Sequence, residues 1–258
     1  MNPFTRRAAL LFLSLTVMVN AAVVNPAAAA DAGKGTVFYA GATGSIGRIA
    51  IGLLREQGYS VRGLTRNPAR AERLYGDDVE WVRGDVREPA RMTELMRGAD
   101  VVVCSISYTE FEGPNSPQFV DYMGVRNLVD AAKANGVRQL VLVSAGSAGP
   151  WRDHTRNPRF GYVAYWKTKG EDYLKQSGVP FTIIGPTGFV DGAGDELGIR
   201  LTSRAEYGMG MIRRADVAAV TVGAIGNPGA LGKAVFIENS AELSPNTWRD
   251  EFANVAPE

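Results

Sequence analysis

The chain has 258 residues, 45% hydrophobic and 21% charged, with 28 Lys and Arg against 27 Asp and Glu. That composition is ordinary for a globular protein of one or two domains with a full core, and it excludes a disordered chain. A net charge of +1 supplies no bulk field for nucleic acid. The single Cys and single His exclude a disulfide framework, a Cys-rich zinc or iron–sulfur site and a multi-His centre, so no metal is expected.

The first thirty residues read as a targeting segment rather than as fold. Arg6 and Arg7 precede an apolar stretch from Ala8 to Val19, too short for a bilayer core of about 30 Å. Pro26-Ala27-Ala28-Ala29-Ala30 then offers small residues for cleavage before Asp31. We expect a signal peptide over 1–30, export to the periplasm or outside the cell, and no membrane span after cleavage. The run Thr5-Arg6-Arg7-Ala8-Ala9-Leu10 resembles a twin-arginine export motif, and a Sec signal fits as well. Removing both arginines takes the net charge from +1 to −1, still near neutral.

Residues 31–258 alternate strand and helix patterns. Strands are expected at 36–40, 59–64, 79–82, 101–104, 139–143, 181–184 and 234–237. Helices are expected at 45–57, 89–96, 119–135, 163–176, 215–225 and 245–252. Ile46, Ile49, Leu53 and Leu54 give the first helix one apolar face, and glycines 58, 136 and 178 stop three of the helices. Runs such as Val101-Val102-Val103-Cys104, apolar on both faces, belong to a parallel sheet covered on both sides. Right-handed crossovers make it doubly wound. The expectation is an α/β Rossmann-type domain with a small cap from about 145–162 and 191–211.

Gly41-Ala42-Thr43-Gly44-Ser45-Ile46-Gly47 follows the first strand and opens the first helix, the context a dinucleotide-binding turn requires. Glycines permit the tight turn, the approach of a pyrophosphate and close helix–strand packing. Free N–H groups at the helix start then face the phosphates. An NAD site places an acid near the end of the second strand. Here the chain reads Arg62-Gly63-Leu64-Thr65-Arg66-Asn67-Pro68, with no acid and with Arg66 where a 2′-phosphate would lie. A guanidinium fork suits phosphate, so NADP is the expected cofactor.

These residues resemble the NmrA-like, atypical short-chain dehydrogenase/reductase family over about residues 35–240. The likeness rests on GATGSIG at 41–47, LTRNP at 64–68, RGDVRE at 83–88, KTKGEDYLKQSGVPFTIIGPTGF at 167–189 and RRADVAAVTVGAI at 213–225. It implies that Gly41, Thr43, Gly44, Ser45, Ile46 and Gly47 hold the pyrophosphate and Arg66 the 2′-phosphate. It puts Asp85 and Val86 beside adenine, with the Asp85 carboxylate accepting from the exocyclic amine. Cys104, Ser105 and Ile106 would line ribose and nicotinamide, Lys167 would reach the nicotinamide ribose, and Pro186, Thr187 and Gly188 would close over the ring. The switch-point rule for open α/β sheets puts the ligand at the same strand ends.

Catalysis is less plainly written. Classical relatives use Tyr-x-x-x-Lys, in which the Tyr donates a proton. Tyr165 and Lys169 have that spacing, but the resemblance places the family lysine at Lys167, with Val163 four residues earlier. Positions two apart on a helix differ by about 200°, so Lys167 and Lys169 face different ways. Ser144 and Ser147, after the fifth strand, stand where a relative puts its catalytic serine, and either also fits as a turn cap. His154 reads as an exposed loop residue and Cys104 as a buried small one. Trp151, Phe160, Tyr162 and Tyr165 fit cap packing or a stacking wall. Gly185-Pro186 departs from the Arg-Pro of many relatives and removes a cation from the pocket. The expected function is hydride transfer from NADP(H) to a small quinone, flavin or carbonyl acceptor. The alternative is a non-catalytic NADP-binding sensor or assembly factor, and a sugar-nucleotide epimerase is a third reading. A monomer or homodimer is expected, the helices at 119–135 and 163–176 offering a four-helix interface.

Overall fold

The computed structural model describes residues 33–149 and 162–257. The expected signal segment, and the loop residues Trp151, His154 and Phe160, lie outside the described residues. From Gly33 on, the chain forms one compact unit. Its elements are β1 (Thr36–Ala40), α1 (Gly47–Glu56), β2 (Ser60–Thr65), α2 (Pro68–Tyr75), β3 (Glu80–Arg83), α3 (Pro89–Leu95), β4 (Val101–Cys104), α4 (Val125–Asn135), β5 (Gln139–Val143), α5 (Val163–Gln176), β6 (Phe181–Pro186), β7 (Gly188–Val190), β8 (Gly198–Thr202), β9 (Met211–Arg213), α6 (Arg214–Gly223) and β10 (Lys233–Ser240).

Eight strands form the main sheet in the order β3-β2-β1-β4-β5-β6-β10-β8. Every pair is parallel except β8, which runs antiparallel to β10 along the edge. The order reverses between β1 and β4, so a crevice opens beyond their carboxyl ends. The central strands are fully buried, β4 and β5 along their whole length, because a separate apolar cluster covers each face of the sheet. One cluster holds Ile46, the residue before α1, and Ala50 and Leu54 of α1 with Val217 and Val220 of α6. The other holds Met92 of α3 with Leu128 and Val129 of α4.

The sequence pattern did not announce five features. Pro68–Tyr75 is a helix, started by Pro68 and capped by Asn67, whose Oδ1 accepts from the Arg70 N–H at 3.1 Å. The helix expected at 119–135 begins as a π-helical turn, Gln118–Gly124, before α4. Residues 198–202, expected in the cap, pair with β10 and extend the main sheet, while β7 and β9 form a separate parallel pair. The last helix, expected at 245–252, is a 3-10 helix at Thr247–Asn254, whose Trp248 and Phe252 are buried against the core.

Candidate dinucleotide site

The turn after β1 is built for close approach. Gly41 has φ +92°, and a Cβ there would stand 2.7 Å from the Ser105 carbonyl carbon. A Cβ on Gly47 would fall against the Gly41 carbonyl, so the helix packs onto the turn only with glycine at its first position. No side chain caps α1, and its first turn carries no acid. Among the described residues, the N–H groups of Ser45 and Ile46 find no internal acceptor. Uncommitted donors at a helix start are what an anion needs.

This turn opens into a cavity of about 270 Å³ at the switch point. Gly41, Thr43, Gly44, Arg66, Asp85 and Val86 line it, with Ser105 and Ile106 from the end of β4. Eight of the residues expected to bind the cofactor therefore converge. Ser45 is exposed beside the turn, and Ile46 and Gly47 are buried under it. Cys104 is buried one residue below the lining, and desolvation there pushes its thiol up to about 11. Tyr39, buried on the adjacent strand, accepts from the Ser105 hydroxyl at 3.2 Å, and burial raises its phenol far above the usual value.

Arg87 has a role that its place in the RGDVRE motif did not reveal. It donates from Nε to Asp85 Oδ1 at 2.8 Å and from Nη2 to Oδ2 at 2.6 Å. These bonds hold the Asp85 carboxyl below its ordinary range, and nearby Arg66 adds to the effect. Arg87 also donates to the Pro114 carbonyl at 3.0 Å, which ties the loop after β4 to the cavity wall. That loop brings Thr109 and Asn115 into the lining, a placement without a sequence signal. Asp85, expected to receive the adenine amine, has both oxygens engaged by Arg87.

Lys167 and Lys169 part company as the helical spacing requires. Lys169 is exposed, whereas the Lys167 ammonium lies 2.7 Å from Asp121 Oδ1. The Asp121 side chain is wholly buried, and its Oδ2 accepts from the Tyr108 N–H at 3.0 Å. The contact at Oδ1 is an ion pair rather than an aligned hydrogen bond, and that oxygen has no further partner among the described residues. The π-turn carries Asp121, and α5 approaches it at Gly170, where a Cβ would stand 2.9 Å from the Asp121 carbonyl. Such π-turns often mark functional positions. Tyr165 is half-buried with its ring edge on Trp166. Tyr165 and Lys169 therefore do not share the ion-paired position that Lys167 occupies.

Ser144 donates to Glu171 Oε1 at 2.5 Å, and Arg204 donates to Glu171 Oε2 at 2.6 Å. Burial pushes the Glu171 carboxyl up, opposed by Arg204 and Ser144. Arg204 also donates to the Ala148 carbonyl and lies 4.5 Å over the Phe236 ring. The position of the missing strand-end arginine is filled, since a Cβ on Gly185 would stand 2.5 Å from that ring. Pro186 and Thr187 are buried, and Thr187 Oγ1 donates to Ile237 O of β10 at 3.2 Å. Gly188 is exposed in β7.

Sheet order, glycine turn and open strand ends together define a dinucleotide-binding protein of the doubly wound α/β class. A family model described as NAD(P)H-binding matches residues 41–228, and the chain belongs to that family. The expected kinship with NmrA-like, atypical short-chain dehydrogenases/reductases is thereby borne out. The chain is 33% identical over 236 residues to sanguinarine reductase of Eschscholzia californica, spanning 74% of this chain and 84% of that protein. It is 34% identical over 258 residues to an uncharacterized chloroplastic protein of Arabidopsis thaliana, spanning 88% and 76%. Among solved structures, an anaerobilin reductase from Escherichia coli O157:H7 superposes with a TM-score of 0.68 at 22% identity, spanning 81% of this chain and 99% of that one.

Proposed function

We propose that the protein is an NADP(H)-dependent oxidoreductase that passes a hydride to a small conjugated acceptor, a quinone, flavin or carbonyl compound. One observation carries the reading: Gly41, Thr43 and Gly44 of the glycine turn line the same cavity as Arg66, whose guanidinium makes no ion pair or hydrogen bond among the described residues. When bound, the nicotinamide supplies the hydride. The chain's own part is positioning. Ser45 and Ile46 N–H groups hold the pyrophosphate, Arg66 takes the 2′-phosphate, and Val86 packs beside adenine. Lys167, on α5 and fixed by Asp121, reaches the nicotinamide ribose. Holding the reactants in register accounts for much of the rate, because conjugated acceptors need little proton donation from the protein. The reductase named above, 33% identical, supports this chemistry by kinship.

A non-catalytic NADP-binding role is favoured by one observation: Lys169 is exposed and the Ser144 hydroxyl is engaged by Glu171, which leaves no Tyr–Lys–Ser trio assembled among the described residues. The arginine-led N-terminus supports export, with the cofactor carried out on the folded chain. The deciding experiment is mass spectrometry of ligand released from protein purified from its native compartment, followed by NADPH oxidation with a panel of quinones, flavins and carbonyls. Bound NADP and turnover are expected. Cofactor binding with no oxidation across the panel returns the function to the sensor or assembly role.

A further inference from the structure

β2 and β3 are parallel neighbours, and Thr65 is in register with Arg83. Their carboxyl ends therefore lie side by side, about 4.8 Å apart. Arg66 follows Thr65, and Arg83 is the last residue of β3. Both line a second cavity, of about 350 Å³, which shares Arg66, Gly84 and Asp85 with the dinucleotide cleft.

The cations around this cavity are not equivalent. The Arg91 guanidinium is committed, donating to the Arg83 carbonyl at 3.3 Å from both Nε and Nη2 and pairing with Glu94 at 2.7 Å. Arg87 is committed to Asp85 and Pro114. Arg66 and Arg83 have no carboxylate or carbonyl partner for their guanidinium groups among the described residues. Asp85 is the acid that could have answered them, and Arg87 neutralises it through both oxygens. Glu88 is the remaining acid on the lining. It is exposed, and its side chain makes no cap to α3. The pocket thus presents two free forks against one exposed carboxylate, on the adenosine side of the cleft.

We infer that Arg83 is the second arm of a two-arginine clamp, with Arg66, for a phosphomonoester on the adenosine ribose, and that this pair sets preference for NADP(H) over NAD(H). The inference rests on the proposed cofactor reading and deepens it. Two guanidinium forks can each donate a pair of hydrogen bonds to one phosphate, whereas an unphosphorylated ribose leaves both forks in solvent. Arg91 serves the clamp indirectly by fixing the Arg83 carbonyl and so the end of β3. Glu88 works against it by like-charge repulsion of a phosphate dianion.

The test is calorimetric titration of the purified full chain with NADPH, NADH, 2′,5′-ADP and 5′-ADP. We compare wild type, Arg83→Ala, Arg83→Lys, Arg66→Ala and Glu88→Gln. Arg83→Ala is expected to weaken NADPH and 2′,5′-ADP roughly tenfold or more while leaving NADH and 5′-ADP within about twofold, the usual size of one charge-assisted hydrogen-bonding group. Arg83→Lys recovers part of the loss, and Glu88→Gln tightens the phosphorylated ligands alone. An Arg83→Ala protein whose NADPH-to-NADH ratio equals that of wild type overturns the clamp. Wild type that binds both dinucleotides equally also overturns it, yet leaves the cradle standing. Wild type that binds neither overturns the proposed function itself.

Discussion

Along β1 to β3 the chain leaves polar groups unpaired: the N–H groups of Ser45 and Ile46, and the guanidinium groups of Arg66 and Arg83. Across β5, β6 and α5 the comparable groups are paired internally. Ser144 and Arg204 both bind Glu171, and Lys167 binds Asp121. An unpaired donor at an open strand end costs little, because water satisfies it until an anion arrives. An unpaired charge in the buried half costs several kcal/mol. The nucleotide half therefore keeps its donors for a ligand, and the other half spends them on holding its own shape.

Three substitutions and one labelling experiment would break or sharpen that contrast. The largest effect is expected for Glu171→Ala, which removes the buried acceptor that Ser144 and Arg204 share. Chemical denaturation should show a loss of about 3–5 kcal/mol, with cofactor affinity of the folded fraction nearly unchanged. A marked loss of affinity without a loss of stability would move Glu171 from the frame into the site.

Asp121→Asn keeps a group that can accept from the Tyr108 N–H but removes the charge facing Lys167. Turnover should fall roughly tenfold through lost positioning, with KM for NADPH little altered. Equal falls in affinity and turnover would make the pair a binding device only.

Arg87→Ala unties Asp85 and the Pro114 carbonyl together. NADPH affinity should drop several-fold, since two walls of the adenine pocket lose one anchor. The accompanying stability change has a defined pH dependence. Arg87 lowers the folded-state value of Asp85, whose ordinary value is 3.8. Its stabilisation is therefore present above that value and disappears as pH falls through the lowered one. The stability gap between wild type and variant, measured by urea melts, should be flat near neutrality and close only below pH 3.8. A gap that closes at neutral pH would show that the carboxylate pair is not its source.

The smallest effect is expected at Cys104. With its thiol buried and pushed up to about 11, the folded protein should resist iodoacetamide at pH 8 and react only after denaturation. Rapid labelling of the folded chain would open this strand end to ligand or solvent.

Legibility followed the same divide. GATGSIG and LTRNP are local patterns whose chemistry depends on a turn, a helix start and a strand end, all set by near neighbours in sequence. They led directly to Gly41, Thr43, Gly44 and Arg66 in the cavity. Arg83 and Arg87 stood inside a quoted motif, but their orientation depends on which strands pair, so the motif alone was silent on their work. The Tyr165–Lys169 spacing was a pattern without a geometry, because the rotation of α5 is decided by what packs against it. Gly170 seated on the Asp121 carbonyl sets that rotation and turns Lys167 inward.

From the sequence by itself came the strand–helix alternation, the doubly wound class and the phosphate turn. Each rests on periodicity or on residues close in the chain. Tertiary structure alone decided that β8 joins the sheet antiparallel, that Asp121 faces Lys167, that Phe236 fills the place at Gly185, and that Arg66 and Arg83 stand together. The physical reason is distance along the chain. These contacts join segments 17 to 51 residues apart, and their partners are chosen by sheet order and packing, which no local pattern encodes.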